Sequence, residues 1–293
     1  MDCRDLEVFL AAARHLNFTR AGEEVHLSQP SVSVRLRLLQ DELGVKLFEQ
    51  LGKKIVLTEA GQILERHARR ILSALGDARQ AIQELQGLER GSLRIGASTT
   101  PGMYLVPKII AEFKRRHPKI EIHLDIKDTR QVEDDIVNNE FDFGFVGGHL
   151  VGEEVEVIPW LTDEIVLVAS PSHPLARRRN TQLKDLAQEW FISREQGSAT
   201  QAAADAALRG VSLQVAKVME INNPESVKQA VQSGLGVAFL SKFVIETELK
   251  AETLVVVKVK DLRVSRELKI VHHRDKHLSR AAQSLIEMAG RRR

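Results

Sequence analysis

A long helical repeat at residues 59–88 limits the fold of this chain more than any other feature, because it separates two regions of different pattern. Apolar residues recur there at alternating intervals of four and three, as a heptad seam requires. Such a helix is a rod of about 45 Å. Two interpretations are open: an amphipathic helix on its own domain, or a dimer seam, which the strict spacing favours. The predicted seam residues are Leu64, Ala68, Ile71, Leu75, Ala78, Ile82 and Leu85.

The regions on either side predict three parts: 1–58, 59–90 and 91–293. Short helical patterns with tight polar turns fill the first part, and strands alternate with helices in the last, which favours parallel sheets covered by helices. The predicted strands of the last part include 92–97, 120–126, 141–146, 164–170, 214–221, 236–240 and 267–272, and its predicted helices include 101–116, 132–138, 198–208, 224–232 and 278–289.

Composition excludes several classes of protein. The 42 Lys and Arg residues against 40 Asp and Glu residues give a formal net charge of +2, which argues against a histone-like or nonspecific nucleoid protein. The single cysteine, Cys3, excludes an internal disulfide framework and favours a reducing compartment. We see no secretory signal and no apolar run long enough to span a membrane, so we expect a cytoplasmic protein.

Residues 18–43 predict two short helices joined by a tight turn, with Ser28 as the N-cap of the second. At about 100° per residue, Val32, Leu36, Leu39 and Leu43 form one inward stripe of that helix. The opposite arc, Pro30 to Leu38, carries no acidic residue, as a helix that enters the major groove requires.

A β-hairpin with basic residues at its tip is predicted next, at residues 44–58. Lys53 and Lys54 at such a tip are either a solvated turn or a wing that contacts the DNA backbone. The preceding helix-turn-helix favours the wing.

The run FTRAGEEVHLSQPSVSVRLRLLQDELGVKLFEQLGKKIVLTEAGQ resembles the winged helix-turn-helix of the LysR-type transcriptional regulators, most specifically in LSQPSVS, ELGVKLFE and LTEAG. The resemblance implies a multidomain α+β protein: an N-terminal winged helix-turn-helix, a long linker helix, and a two-lobed α/β effector domain like a periplasmic binding protein. Lobe I would span about 91–163 and 266–293, and lobe II about 164–265.

The resemblance also implies partners and contacts. We expect a homodimer, assembled further into a homotetramer, on double-stranded promoter DNA with an interrupted palindrome. The predicted DNA-binding residues are Thr19, Arg20, Ser28, Gln29, Pro30, Ser31, Ser33, Val34, Arg35, Arg37, Lys53 and Lys54.

Two positions of the predicted recognition helix depart from the family. Val34 stands where the family often has Arg, and Arg35 where it often has Gln. Since Val34 cannot hydrogen-bond a base, we expect an apolar contact there with a thymine methyl group.

Two clusters of hydroxyl residues stand between a strand and a helix, at Ser98–Thr100 and Ser198–Thr200. They are either plain N-caps or, facing each other across a cleft, part of an anion site. The family places its effector there, so we expect a small anionic effector between the lobes. The predicted effector-binding residues are Ser98, Thr99, Thr100, Gly147, Arg194, Gly197, Ser198, Thr200 and Asn223.

Two residues near the second cluster bear on the kind of ligand. Arg194 could instead be a surface ion-pair partner of Glu195. Gln201 stands where the family commonly has a second cation, which argues against a highly charged ligand.

Neither an enzyme nor a metalloprotein is expected. None of the nucleotide-binding, nucleophile-elbow or zinc-protease motifs is present. His272, His273 and His277 lack supporting ligand spacing, so we predict no metal, no catalytic residue and no cofactor.

The competing hypothesis is a solute-binding or metabolic α/β protein whose N-terminal helices only dimerise it. The acid-free arc Pro30 to Leu38 argues against this hypothesis.

Overall fold

The computed structural model describes residues 1–52, 54–85, 91–150, 152–178 and 180–291. Lys53 therefore lies outside the described residues, as does the side chain of Leu85. By its internal contacts the chain forms two units, Met1–Leu88 with Asn138–Glu140, and Glu89–Val137 with Phe141–Arg293. Across the described residues, no helix is long and apolar enough to cross a membrane.

The first unit is a winged helix-turn-helix followed by a long helix. Its elements in chain order are α1 Cys3–His15, α2 Phe18–Val25, α3 Gln29–Leu43, β1 Phe48–Leu51, β2 Lys54–Leu57 and α4 Glu59–Leu85. The predicted N-cap of α3 is confirmed, because the Ser28 side chain accepts a hydrogen bond from the Ser31 backbone N–H. The strands β1 and β2 pair as an antiparallel hairpin with Leu51 opposite Lys54.

A close backbone approach sets the turn between α2 and α3. The Leu27 N–H donates to the Gly22 carbonyl at 2.8 Å. A Cβ on Gly22 would lie 2.5 Å from the Leu27 oxygen, so a side chain there would push the two helices apart. His26 closes α2 in the left-handed conformation, with φ of 55°.

The inward stripe of α3 is confirmed at three of its four positions. We call the winged helix-turn-helix, residues 1–58, the head. Val32, Leu36 and Leu39 are buried in its apolar core with Phe9 and Phe48. The prediction for Leu43 was wrong: it is 39% exposed, because it is the last residue of α3, where the helix has passed the core.

The long helix α4 uses its apolar face in two ways. Leu64 and Ala68 pack against the core of the head, and Ala68 is fully buried there. Ile71 and Ile82 are 44% and 59% exposed. The first two positions of the predicted dimer seam therefore pack within the chain's own domain, as the amphipathic alternative required. Of the later positions, Ile71, Ala78 and Ile82 are exposed and Leu75 is half-buried.

The second unit is built on a seven-stranded mixed sheet and a separate two-stranded sheet. Its strands are β3 Gly91–Ser98, β4 Ile120–Lys127, β5 Phe143–Val146, β6 Val155–Ala169, β7 Trp190–Arg194, β8 Ala216–Ile221, β9 Ala238–Ser241, β10 Val255–Val256 and β11 Val264–His273. Its helices are α5 Val106–Arg116, α6 Thr129–Val137, α7 Leu183–Leu186, α8 Ala199–Gly210, α9 Pro224–Gln232, α10 Glu246–Lys250 and α11 Arg280–Gly290. A π-helical turn, Pro101–Leu105, leads into α5.

Two long antiparallel strands, β6 and β11, run through both lobes. In lobe I, β11 pairs with β5, and β3 lies between β5 and β4. In lobe II, β6 pairs with β9 and β10, and the β7–β8 pair lies beside them. Asp163 and Arg266 face each other in the ladder between these two groups of strands.

The expectation of parallel sheets was correct only locally. β3 pairs in parallel with β4 and β5, and β7 with β8, whereas β6 and β11 are antiparallel. The sequence pattern also placed the start of β6 at Glu164 and missed its first half. Pro159 lies in that half, and the register shifts beside it between Leu268 and Lys269, because proline cannot donate to the ladder.

Each lobe has its own apolar core. In lobe I, Phe145 packs against Trp160, and the Trp160 indole donates to the Ala289 carbonyl of α11 at 3.0 Å. In lobe II, Phe191 stacks on Phe239. Separate cores leave a polar seam between the lobes, where loops that follow the strands converge.

Candidate functional site: a polar cleft between two lobes and a groove-facing helix

A cleft of about 300 Å³, counted out to its open mouth, lies between the two lobes of the second unit. Six of its lining side chains carry hydroxyl groups and two carry guanidinium groups. The lining residues are Ser98, Thr99, Thr100, Asp128, Thr129, Arg194, Glu195, Gly197, Ser198, Ala199, Thr200 and Arg266.

The two predicted hydroxyl clusters face this cleft from opposite lobes. Ser198 caps α8 by accepting from the Gln201 N–H at 3.4 Å, so it serves the cap interpretation as well. Thr100 precedes the π-helical turn and, within the described part of the chain, makes no side-chain cap hydrogen bond there. Both are nearly buried, so their hydroxyls are available to a ligand rather than to bulk water.

Arg194 ends β7 and is 4% exposed. Its Nε and Nη2 donate to the two carboxylate oxygens of Glu195 at 2.8 and 2.9 Å. Its backbone N–H donates to Gln201 Oε1 at 2.9 Å, so Gln201 orders the end of the strand instead of adding a cation. Arg194 is thus a buried cleft residue and an ion-pair partner of Glu195 at once.

Arg266 is the second guanidinium of the cleft, and sequence reasoning missed it. Its Nε donates to Asp163 Oδ2 at 2.9 Å, and Ser241 donates to the other oxygen of Asp163 at 2.6 Å. Its Nη2 lies 2.8 Å from Asp163 Oδ2 but, within the described part of the chain, has no aligned hydrogen-bond acceptor. The ion pair compensates the charge of this nitrogen, but its N–H groups are poorly aligned with the carboxylate, so they remain suited to a ligand acceptor.

The two arginines influence each other. Burial lowers the pKa of Arg266 from its ordinary value, and the charge of Arg194 acts in the same direction, against the raising effect of Asp163. In the lining itself, Arg194 and Arg266 are balanced by Asp128 and Glu195. The cleft therefore offers directed donors without a large excess of positive charge.

Two predicted effector residues are not among the lining residues. Gly147 lies behind Arg266, whose Nη1 donates to the Gly147 carbonyl at 3.4 Å, and a Cβ there would come within 3.2 Å of the guanidinium. Asn223 caps α9 by accepting from the Glu225 and Ser226 N–H groups. Gly147 therefore supports Arg266 from behind and Asn223 stabilises the start of α9, and contact of either residue with a ligand stays a prediction.

Among the missed lining residues, Asp128 and Thr129 carried a usable signal. Asp128 follows β4 and Thr129 begins α6, a strand-to-helix position like the one that singled out Ser98 and Ser198. Arg266 carried none, because it lies within a strand and is distant in sequence from the rest of the cleft.

The head presents the other predicted surface. Ser28, Gln29, Pro30, Ser31 and Arg37 are exposed, and Val34 is 45% exposed, so the acid-free arc of α3 faces solvent. Thr19 and Arg20 are exposed at the start of α2, Ser33 is half-buried, and Lys54 is exposed at the start of β2.

Arg35 differs from the other predicted DNA contacts. Its guanidinium donates to Asp5 of α1 at 2.5 Å, so the structure gives it a partner within the head. Its contact with DNA stays a prediction.

In the described ranges, no group of three or more His, Cys, Asp or Glu residues could hold a metal ion.

A winged helix-turn-helix joined to a two-lobed α/β domain with a polar cleft defines a ligand-responsive transcriptional regulator. Residues 3–62 match the model for bacterial regulatory helix-turn-helix proteins of the lysR family, and residues 86–293 match the LysR substrate binding domain. The chain belongs to the LysR family of transcriptional regulators, and its relatives are named regulators rather than enzymes.

Individual proteins agree with this assignment. The chain is 39% identical over 284 residues to the RuBisCO operon transcriptional regulator of Allochromatium vinosum, covering 97% of this chain and 94% of that protein. The regulatory domain of CcmR from Synechocystis PCC6803, solved in complex with 2-PG, has a TM-score of 0.65 and 27% identity, covering 69% of this chain and 97% of that one. A full-length OxyR variant from Pseudomonas aeruginosa has the same fold, with a TM-score of 0.78, 22% identity and coverage of 99% and 94%.

The buried pair between Asp163 and Arg266 generates a stability prediction. Asp163→Asn leaves the 9%-exposed Arg266 side chain without a counter-charge, so we expect a loss of about 3–5 kcal/mol in the free energy of unfolding of the second unit. Ser241→Ala, which removes one hydrogen bond to the same carboxylate, should cost about 1 kcal/mol. Urea denaturation of the full-length chain measures both, and equal costs for the two variants would contradict the proposed importance of the charge.

Proposed function

We propose that this LysR-type regulator is controlled by a small anionic effector that binds in the cleft between its two lobes. The observation that carries the proposal is the convergence of six hydroxyl side chains with Arg194 and Arg266 in one cleft. The start of α8 adds backbone N–H groups beside Ser198, and helix N-termini favour anions. The Nη2 of Arg266 lies 2.8 Å from Asp163 Oδ2 without an aligned hydrogen bond to it, so this nitrogen can also donate to a ligand.

The charges of the cleft indicate what kind of anion fits. Glu195 pairs with Arg194, Asp163 pairs with Arg266, and Asp128 adds a further carboxylate, so the cleft has no excess of positive charge. A ligand with one anionic group and several hydroxyl or carbonyl oxygens is therefore accommodated best. The 2-PG complex of the Synechocystis regulatory domain supports a small anionic metabolite as the class of effector. A carbon- or sulfur-assimilation metabolite suits this description.

The effector prediction is tested by thermal melts of the full-length protein with sulfate, phosphate, glycolate and 2-phosphoglycolate. An effector at about 100 times its Kd adds ~2.7 kcal/mol, which raises the melting temperature by roughly 2–4 °C per kcal/mol. Thr100→Ala with Ser198→Ala should abolish the rise, since it removes one hydroxyl from each wall of the cleft.

Thr253→Ala with Ser233→Ala is the matched control, because it removes the same two groups from exposed positions of lobe II. The readout is the shift with ligand and not the starting melting temperature, since Ser198 also caps α8. A shift that survives in the cleft variant would place the anion elsewhere. Absence of any shift would contradict an anionic effector.

For DNA recognition we propose that the exposed arc of α3 enters the major groove. Its small and polar residues, with Val34 and Arg37, provide hydrogen bonds, apolar contact and one positive charge without an opposing carboxylate. Val34 would contact a thymine methyl group. The hairpin that carries Lys54 would contact the backbone as a wing.

Arg37→Ala and Lys54→Ala test these contacts. Loss of one phosphate contact should make the negative slope of log K against log salt about 0.9 less steep. It should also weaken binding to all sequences similarly. Arg14→Ala is the control, because its guanidinium is already held by Glu24 at 2.8 Å. Fluorescence anisotropy over a salt series gives the slopes, and slopes equal to that of the control would rule out backbone contacts at both positions.

We propose that the uncovered part of α4 forms a homodimer. Ile71 and Ile82 are large apolar side chains exposed on the helix, and burying them against a second copy would remove them from water. Such dimers would present two recognition helices to an interrupted palindrome in successive major grooves, about 34–36 Å apart. A homotetramer formed through the effector domains, acting on DNA in the cytoplasm, extends this proposal.

The dimer prediction separates the two uses of α4. Ile71→Asp with Ile82→Asp should give monomers in sedimentation velocity at micromolar concentration while the helical circular dichroism is retained. Ala68→Asp should instead unfold the head, because Ala68 is fully buried against it. Ala74→Asp, exposed on the same helix outside the repeat, should leave the dimer intact. A persistent dimer in the double variant would refute the interface.

A further inference from the structure

The two cleft arginines are paired in different ways. Asp163, the partner of Arg266, is fully buried and also accepts from Ser241, so its carboxylate cannot move away. Glu195, the partner of Arg194, has a side chain that is 28% exposed. It is the first residue after β7, in the segment that leads through Gly197, whose φ is +93°, into α8. Only this second carboxylate is placed to leave its arginine by a side-chain rotation.

The Glu195 carboxylate contacts Arg194 with the same geometry that a bound anionic ligand would have. Both carboxylate oxygens face the fork formed by Nε and Nη2, at 2.8 and 2.9 Å. The same two-point arrangement recognises the oxygens of a free carboxylate, sulfate or phosphate. Arg194 and Glu195 both line the cleft, and the Glu195 oxygens occupy the two Arg194 donors that an anionic ligand would use.

We propose that Glu195 is a built-in competitor of the effector: it occupies Arg194 in the ligand-free cleft and is displaced when an anionic ligand takes its place. This inference rests on the proposed function of the cleft. It assigns Glu195 a role in specificity, since a neutral molecule gives Arg194 no anion in exchange for the carboxylate. It also lowers affinity for every anion, because each must first break an existing ion pair.

A purely structural pair predicts different behaviour. If Glu195 only stabilised lobe II, its loss would lower the melting temperature equally with and without anion. If Glu195 is a competitor, Glu195→Gln leaves the 4%-exposed Arg194 without its counter-charge. An added oxyanion then pairs with Arg194 and restores the melting temperature that the substitution lowered. The difference is therefore visible in anion affinity and not in stability alone.

The experiment is a sulfate titration of the full-length protein by isothermal calorimetry, at constant ionic strength maintained with sodium chloride. We expect Glu195→Gln to bind sulfate at least about tenfold more tightly than the unaltered protein, the fold-change associated with one charge-assisted pair. In the Arg194→Gln background the same Glu195→Gln change should give no gain, as a double-mutant cycle requires when the effect acts through Arg194.

Glu252→Gln is the matched control. It removes one carboxylate from an exposed position of lobe II outside the cleft lining, so it alters the net charge equally. Tighter sulfate binding by this control would show a general charge effect and overturn the proposal. Equal, measurable sulfate binding by the unaltered protein and Glu195→Gln would overturn the competitor role and leave the anion cleft standing. No sulfate binding by either would overturn both.

Discussion

The buried ion pair between Asp163 and Arg266 is the interaction on which the effector domain depends. It lies where β6 and β11, the two strands common to both lobes, pass from one lobe to the other. Each lobe has its own apolar core, so the connection between them is polar, and a buried charge there must be paired to be tolerated. The same arginine that joins the strands also lines the cleft, which links the integrity of the domain to its ligand site.

The cleft is formed by the ends of strands. Ser98, Asp128 and Ser198 all stand at or just past the end of a strand and before a helical turn, and the parallel pairing within each lobe brings such ends to one side of the sheet. Ser98 and Ser198 supply hydroxyl groups without charge, and Asp128 adds one carboxylate. The two arginines then add direction, and their carboxylate partners limit how much negative charge the site accepts.

The apolar stripe of α4 serves both the folding of the head and the proposed assembly of the dimer. Leu64 and Ala68 complete the core of the winged helix-turn-helix, whereas Ile71 and Ile82 continue the same stripe into solvent. A domain of this size buries a small share of its surface, so the apolar contacts of Leu64 and Ala68 add directly to its stability. The proposed dimer would bury Ile71 and Ile82 against a second copy.

Local features of this protein were readable in the sequence because they depend on neighbours in the chain. The N-caps Ser28 and Ser198, the inward stripe Val32–Leu39 and the hydroxyl clusters all follow from spacing and side-chain chemistry. Tertiary structure alone decided the rest: that Leu64 and Ala68 face the head, that the first half of β6 is a strand despite Pro159, and that Arg266 enters a cleft formed by residues at distant positions in the chain. Long-range pairing is set by which surfaces can be buried together, and no local pattern encodes it.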